Sequence, residues 1–487
     1  MAQSLKDKSL TAILWVVIDK LGSSSVNFIV TIILARLLLP EDFGLVAMVM
    51  IFFEISTVFI QSGFAYALIR EKSISEIDKS TTFVFNLVMS LVVYGILFFS
   101  APAIGAFFQQ PDLAAIIRVM GINLIISALG IIHYAILTQK IDFKTQTKVR
   151  FFAVIISGAV AVTMALTHFG VWSLVAKMGV MELMAVIFVW RMSPWKLSLR
   201  FSMASFNKLF GFGSKLLAEA LIDKFFRHIV QLLIGRYFTA AMLGFYTQAN
   251  NFCNMAANNF NQAIQNVTYP VLAKLQDDKK RLKEGYRQII IMSSFTIIPI
   301  MVLMGVLAEP LIHVLIGKNW LESVPFLQLL CLAGVTYHFN SINLDLLFVI
   351  GRVDLSLRLE IIKKIITGMA IVIGIQFGIY GLVISQVVSN YIALFINTYY
   401  SDKFLNYPLR EQMLDILPSV LFSCLMGGIV WLIKYFVETH GIIFLILGGL
   451  IGAACYLAFH YLAKTREMDL LRWFIIPKAI KFITNKS

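Results

Sequence analysis

The sequence predicts an all-α integral membrane protein of about 14 transmembrane helices. It reads as two parallel six-helix repeats around a central cavity, with two more helices at the C-terminal end. Three observations carry that prediction. Of 487 residues, 59% are hydrophobic and only 14% charged, whereas soluble domains carry about 25% charged residues. Apolar runs near the roughly 20 residues needed to cross a bilayer recur from end to end. Basic residues also alternate between loops in a pattern that depends on the number of spans.

The runs fall at about 11–36, 43–69, 81–108, 113–137, 151–168, 171–190, 211–235, 241–271, 288–308, 325–350, 361–377, 379–399, 414–437 and 441–463. The fifth and eleventh are short, and the eighth is long enough to project past the bilayer. With the N-terminus inside, 31 of the 41 Lys and Arg residues lie in cytoplasmic segments. Only Arg36, Arg236, Lys318 and Lys434 are external. Lys20, Arg118, Lys177, Lys215, Lys224 and Arg227 fall within spans. Removing one span would scramble this alternation, so both termini are expected inside. The net charge of +14 is thereby explained by topology, not by a nucleic-acid partner.

No signal peptide is expected, because the first run meets Asp19-Lys20 and continues to Leu39 without a small-residue cleavage site. External loops are short, the longest from about Ala308 to Val324, which leaves no room for an external catalytic domain. The tail after Ala463 mixes Leu470, Leu471, Trp473, Phe474, Ile475 and Ile476 with basic residues and reads as an interfacial anchor. Cys253, Cys331, Cys424 and Cys455 lie in separate spans, and the histidines show no metal-ligand spacing. Neither a metal nor a cofactor is expected.

An internal repeat divides the chain. Arg36 precedes Gly44 by eight residues in ARLLLPEDFGL, and Arg236 precedes Gly244 by eight in GRYFTAAMLGF. The shift is 200 residues. It brings Asp19 opposite Glu219, Glu54 opposite Asn254 and Gln61 opposite Asn261. Lys140-Ile141-Asp142 after the fourth span pairs with Arg352-Val353-Asp354 after the tenth. Six spans separate each pair, which makes the repeats parallel, a transporter architecture with its site between the halves. The expected organisation is 1–200 and 201–402 for two six-helix bundles, 403–463 for two additional helices and 464–487 for a cytoplasmic tail.

The most polar spans are the seventh and eighth. Lys215, Glu219, Asp223 and Arg227 follow one another at four-residue steps, and Asn250, Asn254, Asn258, Asn261 and Gln265 at steps of 4, 4, 3 and 4. Each set occupies one helix face. Five charges in the seventh span, Lys224 included, would cost on the order of 12–17 kcal/mol against lipid. The face must therefore pair internally or line a wet cavity. Lys215 with Glu219 and Asp223 with Arg227 are the internal pairs available. Elsewhere Lys177 with Glu182, Arg118 and Asp345 are expected to be structural.

Several stretches resemble a known family. These are LARLLLPEDFGLVAM, LLIGRYFTAAMLGFYTQANNF, YPVLAKLQDDKKRLKEGYRQ, LAEPLIHVLIGKNW and LQLLCLAG. Over about residues 10–400 the chain is similar to polysaccharide flippases of the multidrug/oligosaccharidyl-lipid/polysaccharide exporter superfamily, in particular the Wzx-type exporters of colanic and teichuronic acid clusters. The resemblance implies a V-shaped pair of six-helix bundles in a bacterial cytoplasmic membrane. Spans one, two, seven and eight line the cavity. It further implies alternating access, with a polyprenyl-diphosphate-linked oligosaccharide carried to the outer leaflet, and a polymerase machinery as partner. One departure stands out: where the family often has an acid shortly before the LLIGR run, this chain reads His228-Ile229-Val230-Gln231.

Under that resemblance Lys20, Lys224 and Arg227 are the candidate diphosphate ligands. Gln61, Asn250, Asn254, Asn258, Asn261 and Gln265 suit glycan hydroxyls, since an amide donates and accepts without charge. Asp19, Glu54, Glu219 and Asp223 are candidates to take Na+ or a proton as coupling ion, or to balance the neighbouring cations. A multidrug/cation antiporter of the same architecture is the alternative. It would favour an acid-dominated cavity, whereas the lining spans carry four acids and four bases. A membrane glycosyltransferase or polymerase would need a catalytic set on a sizeable external loop, and none is present.

Overall fold

The computed structural model describes residues 22–61, 75–193, 195–436 and 441–471, together with Trp15, Phe64 and Leu68. Within the helices, the side chains at 212–216, 218–219, 258–267, 269–270 and 353 lie outside the description. The described residues form helices and no strand. In order these are α1 (Gly22–Leu37), α2 (Pro40–Gln61), α3 (Glu76–Phe108), α4 (Leu113–Gln139), α5 (Phe143–Leu166), α6 (Val171–Met192), α7 (Met203–Tyr237) and α8 (Ala240–Ala273). There follow α9 (Lys279–Val306), α10 (Ala308–Leu315), α11 (Ser323–Gly334), α12 (Tyr337–Val349), α13 (Val353–Gly374), α14 (Gly378–Leu405), α15 (Leu409–Phe436), α16 (Ile442–Leu462) and α17 (Arg466–Leu470).

The chain is a multi-pass membrane protein. Among the described residues nine helical stretches are long and apolar enough to cross a bilayer, one of them the 52-residue stretch that holds α13 and α14. Large apolar side chains such as Phe99, Val372, Phe377 and Ile443 stand exposed along these helices, as a lipid-facing surface requires. The chain divides into two compact units, Met1–Thr247 and Gln248–Ser487.

In the first unit α3 packs on α4, α5 on α6, and α7 on α2. Ser75 starts α3 with a capping box: its hydroxyl accepts from the Asp78 amide, and the Asp78 carboxylate accepts from the Ser75 amide. Val30 and Leu34 of α1, with Leu38 just beyond it, pack against Ala161 and Ala165 of α5 and Leu174 of α6. Small residues on α5 let these membrane helices approach closely.

The N-terminal ends of α2 and α8 cross at main-chain contact. A Cβ built on Gly44 would lie 1.8 Å from the Ala240 carbonyl oxygen, and one built on Gly244 would lie 1.9 Å from the Pro40 carbonyl oxygen. Each glycine thus meets the first residue of the other helix, and the 200-residue shift, which carries Pro40 to Ala240 and Gly44 to Gly244, exchanges the two contacts.

In the second unit α9 packs on α15, α11 and α12 on α14, and α13 on α14. Tyr286 and Ile290 of α9, Phe339, Ile342 and Leu346 of α12, and Tyr407 share a core there. Polar pairs cross that core: Tyr286 donates to Asn343 at 2.7 Å, and the Asn397 amide donates to Asn340 at 2.9 Å. At the basic end Lys283 pairs with Glu411 at 2.9 Å. Arg287 grips Asp415 through Nε at 2.6 Å and again through Nη2. Tyr407 donates to the same carboxylate at 2.6 Å. Burial, with Asp415 alongside, pushes the Tyr407 hydroxyl well above its ordinary value, which keeps it a donor.

Four sequence expectations are modified. The tenth run is not one helix, because Val335 and Thr336 interrupt it between α11 and α12. The Leu332 carbonyl at the break accepts from the Tyr391 hydroxyl at 3.3 Å, and the Ala333 carbonyl accepts from the Thr336 hydroxyl at 2.9 Å. The segment from Ala308 is not a plain loop: it contains the amphipathic helix α10 and a buried Trp320. The turns after the fourth and tenth runs share one hydrogen-bond pattern, but in a different register from the sequence pairing. Asp142 N–H bonds to Leu137 and Arg352 N–H to Leu347 across left-handed residues Ile141 and Gly351. Gly351, not Val353, therefore corresponds to Ile141. Finally, the start of the tail is built into the second unit. Glu467 is 1% exposed and accepts from Ser419 at 3.1 Å, while Arg466 pairs with Glu284. Residues 472–487, the remainder of the expected interfacial helix, lie outside the described residues.

Candidate substrate-binding faces

Helix α7 runs for 35 residues from a Ser202 cap, whose hydroxyl accepts from the Ser205 amide at 3.4 Å. Of its charged face the side chains of Asp223, Lys224 and Arg227 are described, and both of these cations are engaged. Arg227 pairs with Asp223 along the helix at 2.7 Å, with both side chains well exposed. Lys224 reaches across to α2 and pairs with Glu54; the two side chains are 33% and 30% exposed. His228 meets Gln231 of the same helix at 2.6 Å. Asp19 and Lys20 lie outside the described residues, and so do the side chains of Lys215 and Glu219.

The described group of Glu54, Asp223, Lys224 and Arg227 is formally neutral. Its cations are held next to carboxylates at partial exposure. An arriving phosphoryl group can displace a carboxylate, because Arg and Lys bind both oxyanions by the same charge-assisted hydrogen bonds. A carboxylate that loses its cation favours uptake of a proton or a cation in exchange. Sequence reasoning assigned Lys224 to the substrate and Glu54 to coupling without seeing that they touch. They stand 170 residues apart, and no spacing rule links them.

The second unit begins at Gln248, and α8 carries the amide face there. Asn250 and Asn254 are half-exposed and hydrogen-bond to no described residue, so their donors and acceptors stand available. Asn251, which the sequence reading passed over, donates to the buried Gln248 at 3.3 Å. The side chains of Asn258, Asn261 and Gln265 lie outside the description, although their backbone continues the helix. Gln61 is exposed as the last residue of α2.

Among the other intramembrane charges, Lys177 and Arg118 make contacts with neighbouring helices. Lys177 donates to Thr31 of α1 at 3.1 Å and not to Glu182. Arg118 lies over the Phe98 ring at 4.7 Å and donates to its carbonyl at 3.4 Å. Arg236 lies over Phe107 at 5.2 Å, the contact of a cation at an aromatic interface. Asp345 has one carboxylate oxygen buried without a hydrogen-bond partner.

A family model described as "Polysaccharide biosynthesis protein" matches residues 33–325. The chain is 24% identical over 402 residues to the lipopolysaccharide biosynthesis protein WzxC of Escherichia coli (strain K12), covering 81% of each chain. It is 25% identical over 319 residues to the succinoglycan biosynthesis transport protein ExoT of Rhizobium meliloti (strain 1021), covering 66% of this chain and 65% of that one. Among solved structures it is similar to the lipid II flippase MurJ in an inward closed conformation. There the TM-score is 0.76 at 17% identity, over 92% of this chain and 98% of the other. That likeness shows the fold.

Proposed function

Because the chain belongs to the polysaccharide biosynthesis protein family, matched over residues 33–325, we propose that it is a flippase. It moves a polyprenyl-diphosphate-linked oligosaccharide from the cytoplasmic to the outer leaflet of a bacterial cytoplasmic membrane, by alternating access, for assembly of a surface polysaccharide. In this reading it is a transporter without a catalytic step, built from two six-helix repeats, with both termini cytoplasmic and a polymerase acting on its product. The names of WzxC and ExoT support the polysaccharide and transport parts.

The observation that carries the reading is the pairing of Lys224 with Glu54 and of Arg227 with Asp223 in membrane-spanning helices. The diphosphate takes Lys224 and Arg227, and Lys20 if it reaches the same ligand. The amides of Asn250, Asn254, Asn258, Asn261, Gln265 and Gln61 take the glycan hydroxyls. Glu54 and Asp223, with Asp19 and Glu219, take up the coupling Na+ or proton when the cations turn to phosphate. Two negative charges moved outward across an inside-negative membrane release about 4–5 kcal/mol per 100 mV, which assists the step.

The test is flipping of lipid-linked oligosaccharide in proteoliposomes. Arg227→Ala and Lys224→Ala are expected to lower the rate at least tenfold while the protein remains folded. Wild-type rates in both would overturn the cationic site. Drug efflux by the purified protein, without oligosaccharide flipping, would favour the antiporter.

A further inference from the structure

The basic end of the first unit holds a pocket that the transport reading does not use. It has a volume of about 300 Å³ and is lined by Glu76, Lys79, Ile136, Lys140, Trp195 and Lys196. Three parts of the chain build it: the first turn of α3, the last turn of α4, and the extended segment that follows α6.

Its charges are unbalanced in a specific way. Glu76 spends one carboxylate oxygen on Lys79 at 2.6 Å and the other on the Trp195 indole N–H at 3.0 Å. Lys140 and Lys196 are exposed at the rim and form no direct ion pair with a described carboxylate, although the Lys140 charge also favours the ionised form of Glu76 from across the pocket. One acid against three lysines leaves two positive charges facing the pocket.

The wall behind them is rigid. Trp195 is only 8% exposed. Its ring packs on Phe83 at 5.8 Å and on the fully buried His133 at 5.3 Å. Lys140 stands at the C-cap of α4, and the apolar face of Ile136 lies one turn behind it. An indole with its N–H anchored, an apolar floor and two unmatched ammonium groups make an interfacial site for an anion that carries an apolar tail. Aromatic rings and lysines take up that position at the membrane–water boundary.

We infer that this pocket binds the phosphoryl headgroup of a membrane lipid, with Lys140 and Lys196 on the phosphate oxygens and Trp195 with Ile136 against the first carbons of the lipid. Glu76 serves as a positioning residue: by holding Lys79 and Trp195 it keeps the remaining two lysines free. The chemistry fits the phosphodiester of an acidic phospholipid and also the diphosphate of a polyprenyl carrier. Neither Lys224 nor Arg227 lines this pocket, so the inference stands or falls independently of the proposed transport step.

Binding is measured on the full chain in detergent by native mass spectrometry and by thermal shift. Phosphatidylglycerol, undecaprenyl diphosphate and phosphatidylcholine serve as probes. Lys140→Gln and Lys196→Gln are each expected to weaken anionic-lipid binding about fivefold, and together about twentyfold or more, from the attraction of one cation each. Lys148→Gln, an exposed lysine of α5 outside the pocket lining, is expected to leave binding unchanged. Trp195→Phe, which keeps the ring and loses the N–H, should weaken binding only a few-fold. The lipid whose affinity depends on Lys140 and Lys196 identifies the source of the headgroup. Equal binding of phosphatidylcholine, or an equal loss in Lys148→Gln, would overturn the inference.

Discussion

Gly44 and Gly244 close one crossing from opposite sides, each facing the first carbonyl of the other's helix. Neither position has room for a methyl group unless the main chain moves. Gly44→Ala and Gly244→Ala are each expected to destabilise the protein by about 1–3 kcal/mol, the usual range for overpacking. The double variant should cost less than the sum, because one displacement relieves both clashes. Thermal unfolding in detergent reads this directly, and wild-type stability in both single variants would contradict the crossing.

The Lys224–Glu54 pair separates two roles by a double-mutant cycle. Lys224→Met leaves Glu54 with an unmatched charge, and Glu54→Gln leaves Lys224 in the same state. The double variant restores neutrality and should recover most of the lost stability. Flipping should not recover in the double variant if Lys224 holds the diphosphate. Full recovery of both would make the pair purely structural.

The α9–α15 clamp should govern stability alone. Arg287→Ala strands Asp415, whose side chain is only 10% exposed, and removes its pairing with Glu411. The expected loss is about 2–4 kcal/mol. Asp415→Asn in the same background should add little. The folded fraction of either variant is expected to flip substrate at the wild-type rate, as a per-molecule assay would report.

The beginning of the tail is expected to act as a plug. Ending the chain at Ala463 removes the Arg466–Glu284 pair and the Glu467–Ser419 hydrogen bond, and should lower the unfolding temperature. Ending it at Leu471 keeps both and should preserve stability. Equal stability of the two truncations would refute the plug.

Much of this was legible in the sequence for a simple reason: bilayers force long apolar helices, and helical spacing sorts polar residues by face. Lys215 to Arg227 and Asn250 to Gln265 could therefore be grouped by face from spacing alone, and of these residues the structure describes the side chains of Asp223, Arg227, Asn250 and Asn254. The Lys224–Glu54 contact was not legible, since tertiary pairing over 170 residues leaves no local signature. The break at Val335–Thr336 was equally hidden, because the run around it is apolar and contains no proline until Pro325 near its start. Its freed carbonyls are met by the Thr336 hydroxyl at the break itself and by the Tyr391 hydroxyl from α14. The Lys140–Lys196 pocket joins a helix end to an extended segment, which charge counting by loop treated only as topology.

The divided tenth span has a consequence for how the chain is made. Helix α11 has 12 residues and α12 has 13, about 18 and 20 Å of helix at 1.5 Å per residue, against an apolar layer of about 30 Å. Neither piece can settle in the membrane by itself. During synthesis this segment must wait for a chaperoning surface, and the Tyr391 hydroxyl that satisfies its open carbonyl arrives only with α14, more than fifty residues later. Completion of the second unit is therefore a late, cooperative event in biogenesis, and ribosome-stalled chains that stop before α14 should leave this segment accessible to water-soluble labels.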